Sequence, residues 1–287
     1  MPIFNHVKTA ALLGLLIGLC MLVGHFVGGP QGMLIGLLFG GAGNLVAFFF
    51  SDKIALASMH AQEVTRADAP WLVDTVERLA ERAGLPTPRV YVCPQEAPNA
   101  FATGRSPRHS AVALTQGMLR HFPKREIEGV LAHELAHIKH RDVLITTVAA
   151  ILGGVISFAG YMLMFSGHRG SDNQNPLGAI GALVAVILAP IAAALIQMAI
   201  SRSREYAADA YAGQLTEDPR ALADGLRRLQ GLNERIPTEV NPAFNSLFIM
   251  EPLSAGQAMA SLFSTHPPTE KRIAALEHQA ARMGLMV

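Results

Sequence analysis

Four runs without an Asp, Glu, Lys or Arg, residues 9–27, 31–50, 143–165 and 177–200, interrupt an otherwise polar chain. Each holds 19–24 residues, against the roughly 20 that an α-helix needs to cross about 30 Å of hydrocarbon. Composition agrees: 51% of the 287 residues are hydrophobic and only 16% charged, leaving few side chains to coat a water-soluble surface. The fold class expected is a mainly α integral membrane protein with four transmembrane helices. The first run resembles a cleavable leader, but the second follows after only Gly28-Gly29-Pro30, and no small-residue cleavage site is evident. The pair therefore reads as a tight hairpin, with Gly14, Gly18, Gly32, Gly36 and Gly40 spaced to let helices approach closely. For the third and fourth runs the competing reading is two buried core helices of a soluble protein.

The basic residues orient the spans. Of 23 Lys and Arg, only Arg169 lies between the third and fourth runs, and none lies in the 28–30 turn. The positive-inside rule then places both termini and every large polar segment in the cytoplasm. Cys20 and Cys93 offer no disulfide framework, which suits a reducing compartment. A net charge of +1 gives no field that would gather nucleic acid. Four segments follow: 1–50 and 143–200 as membrane hairpins, 51–142 and 201–287 as the two halves of a cytoplasmic catalytic part.

Within the polar segments, Leu72, Val76, Leu79 and Ala83 keep helical spacing until Gly84 and Pro86 end the helix. Residues 89–93, 99–103 and 110–115 are short alternating or β-branched runs, expected to form a small antiparallel meander. A helix starts near Pro123, a second continues over 205–214 from the fourth run, a third covers 218–229, and a last one runs over 268–283. Residues 237–265 read as irregular.

The chemistry lies in VLAHELAHIKHRDVLI, residues 130–145. His133 and His137 are one helical turn apart on one face, so both imidazoles can reach one ion about 2 Å away. Glu134 lies beside them as the base for a metal-polarised water. The pattern arises by chance in about 2% of such chains, so a third ligand carries weight. Because the 143–200 hairpin returns the chain to the same membrane face, Glu205 emerges near the height of His137, about 8–9 Å beyond the apolar boundary. That would complete a His-His-Glu site with an open position, the pattern of catalytic zinc. The alternative for Glu205 is an ion pair with Arg202 or Arg204. Asp209, one turn on, is either a second acceptor for a ligand imidazole or a solvated helix-face carboxylate. The helix is expected to run on into the third apolar run, with Lys139, Arg141 and Asp142 at the water boundary, and His140 beside them reads as an interfacial residue.

HELAH between two pairs of apolar runs, SRSREYAADAYA at 201–212, PNAFATG at 98–104 and STHPPTEKRI at 264–273 together resemble the HtpX-type membrane zinc metalloproteases, bacterial relatives of the CAAX prenyl proteases. The resemblance covers nearly the whole chain. It implies a zincin-like α+β catalytic domain, a single zinc ion per chain, and an endopeptidase of the bacterial cytoplasmic membrane serving quality control and stress response. Its partners would be misfolded or damaged membrane proteins, the bilayer and other quality-control proteases. By carry-over, His133, His137 and Glu205 are ligands and Glu134 is the catalytic base. His266 would stabilise the oxyanion, Arg272 would brace the site, and Asn99, Ala100, Phe101 and Ala102 would lay substrate along an edge strand. A prenyl-processing protease and a membrane scaffold or transporter with an accidental motif are the competing functions.

Overall fold

The computed structural model describes residues 2–143, 202–233, 235–236, 249 and 267–285. His266, the fourth apolar run and, except for Val143, the third lie outside the described residues. Helix α1 (Pro2–Ser58) contains the first two apolar runs and breaks at Gly29, whose φ of 59° is left-handed, before Pro30. A side-chain carbon on Gly36 would stand 2.1 Å from the Cys20 carbonyl oxygen. In a straight helix those residues would lie about 24 Å apart, so the two arms fold back on each other. Gly36, in the spacing read from the sequence, lets their backbones touch. Counted over the described residues alone, no helix is long and apolar enough to cross a membrane, so the four spans rest on the sequence.

The second arm does not stop at residue 50. It runs on to Ser58 and packs Ala55 and Leu56, with Met59, against Tyr91, Cys93, Phe101, Ala111 and Ala113 on one face of a sheet. The sheet comprises β1 (Gln62–Glu63), β2 (Arg89–Cys93), β3 (Ala100–Ser106) and β4 (His109–Thr115), in the order β1-β2-β4-β3. The expected antiparallel meander is corrected here. β4 pairs antiparallel to β3 but parallel to β2, with Val90 opposite Val112, and the sheet is mixed. The physical reason is burial on both faces. Ala111 and Ala113 meet α1 while Val112 and Leu114 meet the helices opposite, so β4 takes the centre and β3 is left at an edge.

Helix α2 (Pro70–Ala83) buries Leu72, Val76, Leu79 and Ala83 and ends at Gly84 in the left-handed conformation with φ 66°. After the short α3 (Gln116–His121) comes α4 (Lys124–His140), enclosed by α2, β3 and the helices α5 (Arg202–Thr216) and α6 (Pro219–Asn233). Leu222, Leu226 and Leu229 of α6 join Ile127, Val130, Leu131 and Leu135 of α4 in one core. Helix α7 (Thr269–Arg282) closes it with Ile273 and Leu276. The α4–α6 approach depends on Gly129, where an added Cβ would meet the Leu222 backbone nitrogen at 2.6 Å. Gly129→Ala is therefore expected to cost about 1–3 kcal/mol by forcing the helices apart, read as a lowered unfolding midpoint.

A continuous helix from the His-Glu-x-x-His into the third apolar run is not what forms. α4 ends at Arg141 in the left-handed conformation (φ 59°), whose N–H bonds back to the His137 and Ile138 carbonyls. The Asp142 N–H then returns to the His137 carbonyl at 3.0 Å. A carboxylate expected at the water boundary is thereby folded into the protein, 3% exposed.

Candidate metal centre

α4 presents His133 and His137 toward α5, which brings Glu205 from its first turn. The Nε2 atoms of the two histidines are 3.1 Å apart. Glu205 Oε1 lies 3.4 Å from His137 Nε2, and Oε2 lies 3.7 Å from His133 Nε2. Three ligands held about 2.0–2.1 Å from one tetrahedral ion would be separated by about 3.3 Å. The donor set thus fits a metal ion, and no other such group of His, Cys, Asp or Glu occurs among the described residues.

The surroundings set the tautomers. Asp209 Oδ1 is 2.9 Å from His133 Nδ1. The ring N–H is off the ideal line, so Nδ1 falls short of strict hydrogen-bond geometry, but a carboxylate at this range still favours the proton on Nδ1 and leaves Nε2 a lone pair. Burial pushes the His133 imidazole down to about 4, so it is neutral at pH 7. For His137, burial again opposes the charged form, but Glu205, Asp142 and Glu134 outweigh it and raise the pKa to about 9. The ring therefore sits where a cation is favoured, and proton and metal compete for it. Glu134 is 3% exposed, next to His133 on α4.

Arg272, which on sequence alone could be an ordinary helix-face charge, is 1% exposed. Its Nε and Nη2 donate to the two Asp209 oxygens at 2.8 and 2.7 Å, and Nη1 lies 3.7 Å from Glu205. A fork with two parallel bonds holds the Asp209 plane, and through it His133.

Residues 66–280 match the profile of Peptidase family M48. The chain belongs to peptidase family M48. It is a metalloprotease, a hydrolase of peptide bonds. It is 50% identical over 286 residues to a "Protease HtpX homolog" of Persephonella marina, covering 98% of this chain and 99% of that one. Relatives of the same description from Nostoc punctiforme (50%, covering 95% of each chain) and Burkholderia multivorans (48%, 96% and 98%) match likewise. The resemblance read from the four motifs is thus borne out. The crystal structure of S. mikatae Ste24p shares the fold, with a TM-score of 0.53 at 20% identity over 96% of this chain and 66% of that chain.

In this M48 peptidase two residues near the metal centre take partners that the sequence did not indicate. Asp142 Oδ2 lies 3.4 Å from His137 Nδ1, the counterpart of Asp209 at His133, and Arg204 Nη1 lies 3.3 Å from Asp142 Oδ1. Arg204 thus faces Asp142, and among the described residues Glu205 lies against the two histidines and Arg272. The available signal was a carboxylate five residues beyond a ligand histidine, legible only if the helix were known to stop. Asp142→Asn is expected to weaken metal binding about 10–100-fold, measurable by competition against a chromophoric chelator. His140 stays out of the cluster, packing edge-on to Tyr211 with ring centroids 5.7 Å apart.

The edge strand β3 lies against α4. Asn99 turns its backbone to β4, where the Thr115 N–H donates to its carbonyl at 2.9 Å. Phe101 is buried against the end of α1. The Ala100 carbonyl points away from β4 and accepts the Ile249 N–H at 3.2 Å. The Asn99 and Phe101 side chains are buried.

Proposed function

We propose that this peptidase is a zinc-dependent endopeptidase embedded in the bacterial cytoplasmic membrane, cleaving misfolded or damaged membrane proteins from the cytoplasmic side in quality control. The observation that carries the reading is that the second arm of α1 runs on without a break to Ser58. One helix rises from the apolar hairpin and anchors Ala55 and Leu56 in the sheet that bears β3. Leu34, Leu38, Leu45 and Phe49 form an outward row on its second arm, 48–70% exposed. Such a row spans about 22 Å, an apolar surface that suits lipid and not water.

His133, His137 and Glu205 would hold the zinc ion. When bound, zinc acidifies a water molecule and polarises the scissile carbonyl. The Glu134 carboxylate takes the proton from the attacking water and delivers it to the leaving amine nitrogen. Asp209 and Asp142 keep the Nδ1 protons in place, and Arg272 neutralises the buried Asp209. Backbone groups on the β3 edge align an extended substrate, and His266 steadies the developing oxyanion.

The test is cleavage of a model multi-span protein co-reconstituted in vesicles, with products mapped by mass spectrometry. Cuts are expected in loops on the side of the catalytic domain, lost on chelation and restored by zinc. Cleavage confined to soluble peptides, or restoration only by another metal, would overturn the corresponding part of the proposal.

A further inference from the structure

We propose that a cavity between the end of the α1 apolar arm and the β3–β4 hairpin binds the phosphate of an anionic phospholipid. This rests on the membrane reading above. The cavity measures about 460 Å³, within the usual range of small-molecule sites of roughly 300–1,000 Å³. Lys53, Arg89, Arg105 and Arg108 line it against one carboxylate, Asp52. Asp52 is taken by Arg89 at 2.9 Å. Among the described residues Lys53, Arg105 and Arg108 have no carboxylate partner, although they share one space and repel one another. An anion would relieve that repulsion.

The cations are held by groups that leave their charge uncancelled. Arg105 Nη1 donates to the Phe49 carbonyl at 2.9 Å, and its guanidinium lies over the Phe49 ring at 5.6 Å. Lys53 Nζ lies 5.4 Å from the centre of the Phe50 ring. Arg105 is the extra residue of a bulge between Gly104 and Ser106. Gly104 has φ 137°, and a Cβ there would stand 2.2 Å from the His109 carbonyl oxygen, so the bulge requires glycine. The Arg105 guanidinium is thus held at the cavity wall before any ligand arrives.

Phe49 and Phe50 commit the ligand to a lipid. Phe49 ends the outward row of Leu34, Leu38 and Leu45, so the basic cavity opens where the apolar surface ends. A molecule with a phosphodiester head and acyl tails meets both surfaces, whereas inorganic phosphate meets only the cations. Basic side chains at that level attract anionic headgroups. Because Arg105 and Arg108 belong to the β3–β4 hairpin, the same contact would hold the β3 edge at a set height above the bilayer.

The test uses the full chain in neutral detergent, titrated with dihexanoyl phosphatidylglycerol, dihexanoyl phosphatidylcholine and inorganic phosphate, and read by native mass spectrometry. Saturable phosphatidylglycerol binding at least tenfold tighter than either alternative is expected. At about fivefold per cation, Arg105→Ala with Arg108→Ala should weaken it roughly 20–30-fold. The pair Arg66→Ala and Arg120→Ala, which removes exposed cations elsewhere, should leave it unchanged. If the first pair loses its fold, Lys53→Gln with Arg108→Gln gives the same readout without breaking a hydrogen bond seen among the described residues. Equal binding of both lipids, equal competition by phosphate, or binding indifferent to these variants would overturn the site. The membrane reading is scored separately, by whether detergent-free protein inserts into vesicles. Insertion without headgroup selectivity removes only the lipid site.

Discussion

Glu134→Gln is expected to keep its metal and lose cleavage by about 10²–10⁴-fold, the range that a positioned general base contributes. The amide has the size of the carboxylate and sits in the same buried position on α4, 3% exposed. It cannot accept a proton from water. Metal retention follows from the donor set, because His133, His137 and Glu205 converge without Glu134. Loss of the Glu134 charge removes only one of three carboxylate influences on His137. Turnover of a fluorogenic peptide, with metal quantified in the same preparation, separates the two effects. A variant that cleaves at the wild-type rate would show that the base is another group. One that loses both metal and activity would show that Glu134 is needed to build the site.

Arg272→Ala should cost about 3–5 kcal/mol of stability, the penalty for stranding a buried charge by deleting its partner. Its guanidinium makes two bonds to Asp209 and a third to the Ile249 carbonyl at 3.0 Å. Lysine cannot supply that fork, so Arg272→Lys should recover only part of the loss. The pH dependence has a definite sign. Burial alone would raise the Asp209 carboxyl, but Arg272 and His133 outweigh it and hold it down at about 2, against roughly 3.9 in an unfolded chain. A depressed carboxyl stabilises the fold above about pH 4, and that contribution is lost as the pH falls toward 2. The gap between wild type and Arg272→Ala should therefore be widest above pH 4 and narrow below it. Denaturant unfolding of metal-free protein at several pH values measures this, with ligand linkage removed. Equal stability at neutral pH would mean that the Asp209 pairing does not hold the fold.

The sequence by itself determined the elements and the motif. Helical spacing marked α2, α6 and α7 to within a few residues, and the start of α4, because each needs a continuous apolar face over three or four turns. His133, Glu134 and His137 were legible because i and i+4 on a helix are neighbours whatever surrounds them. What the tertiary structure alone decided concerns contacts between distant parts of the chain. The position of β4 between β2 and β3 depends on burial against α1 and α4 together, which no single strand records. Asp142 reached His137 only because α4 stops at Arg141, and a left-handed arginine leaves no compositional trace. Arg272 lies 139 residues from His133, and nothing local distinguishes a guanidinium buried against Asp209 from one in water. Periodicity is a property of neighbours along the chain. The electrostatic frame of the metal centre comes from three helices, α4, α5 and α7, brought together, so it emerged only when they packed.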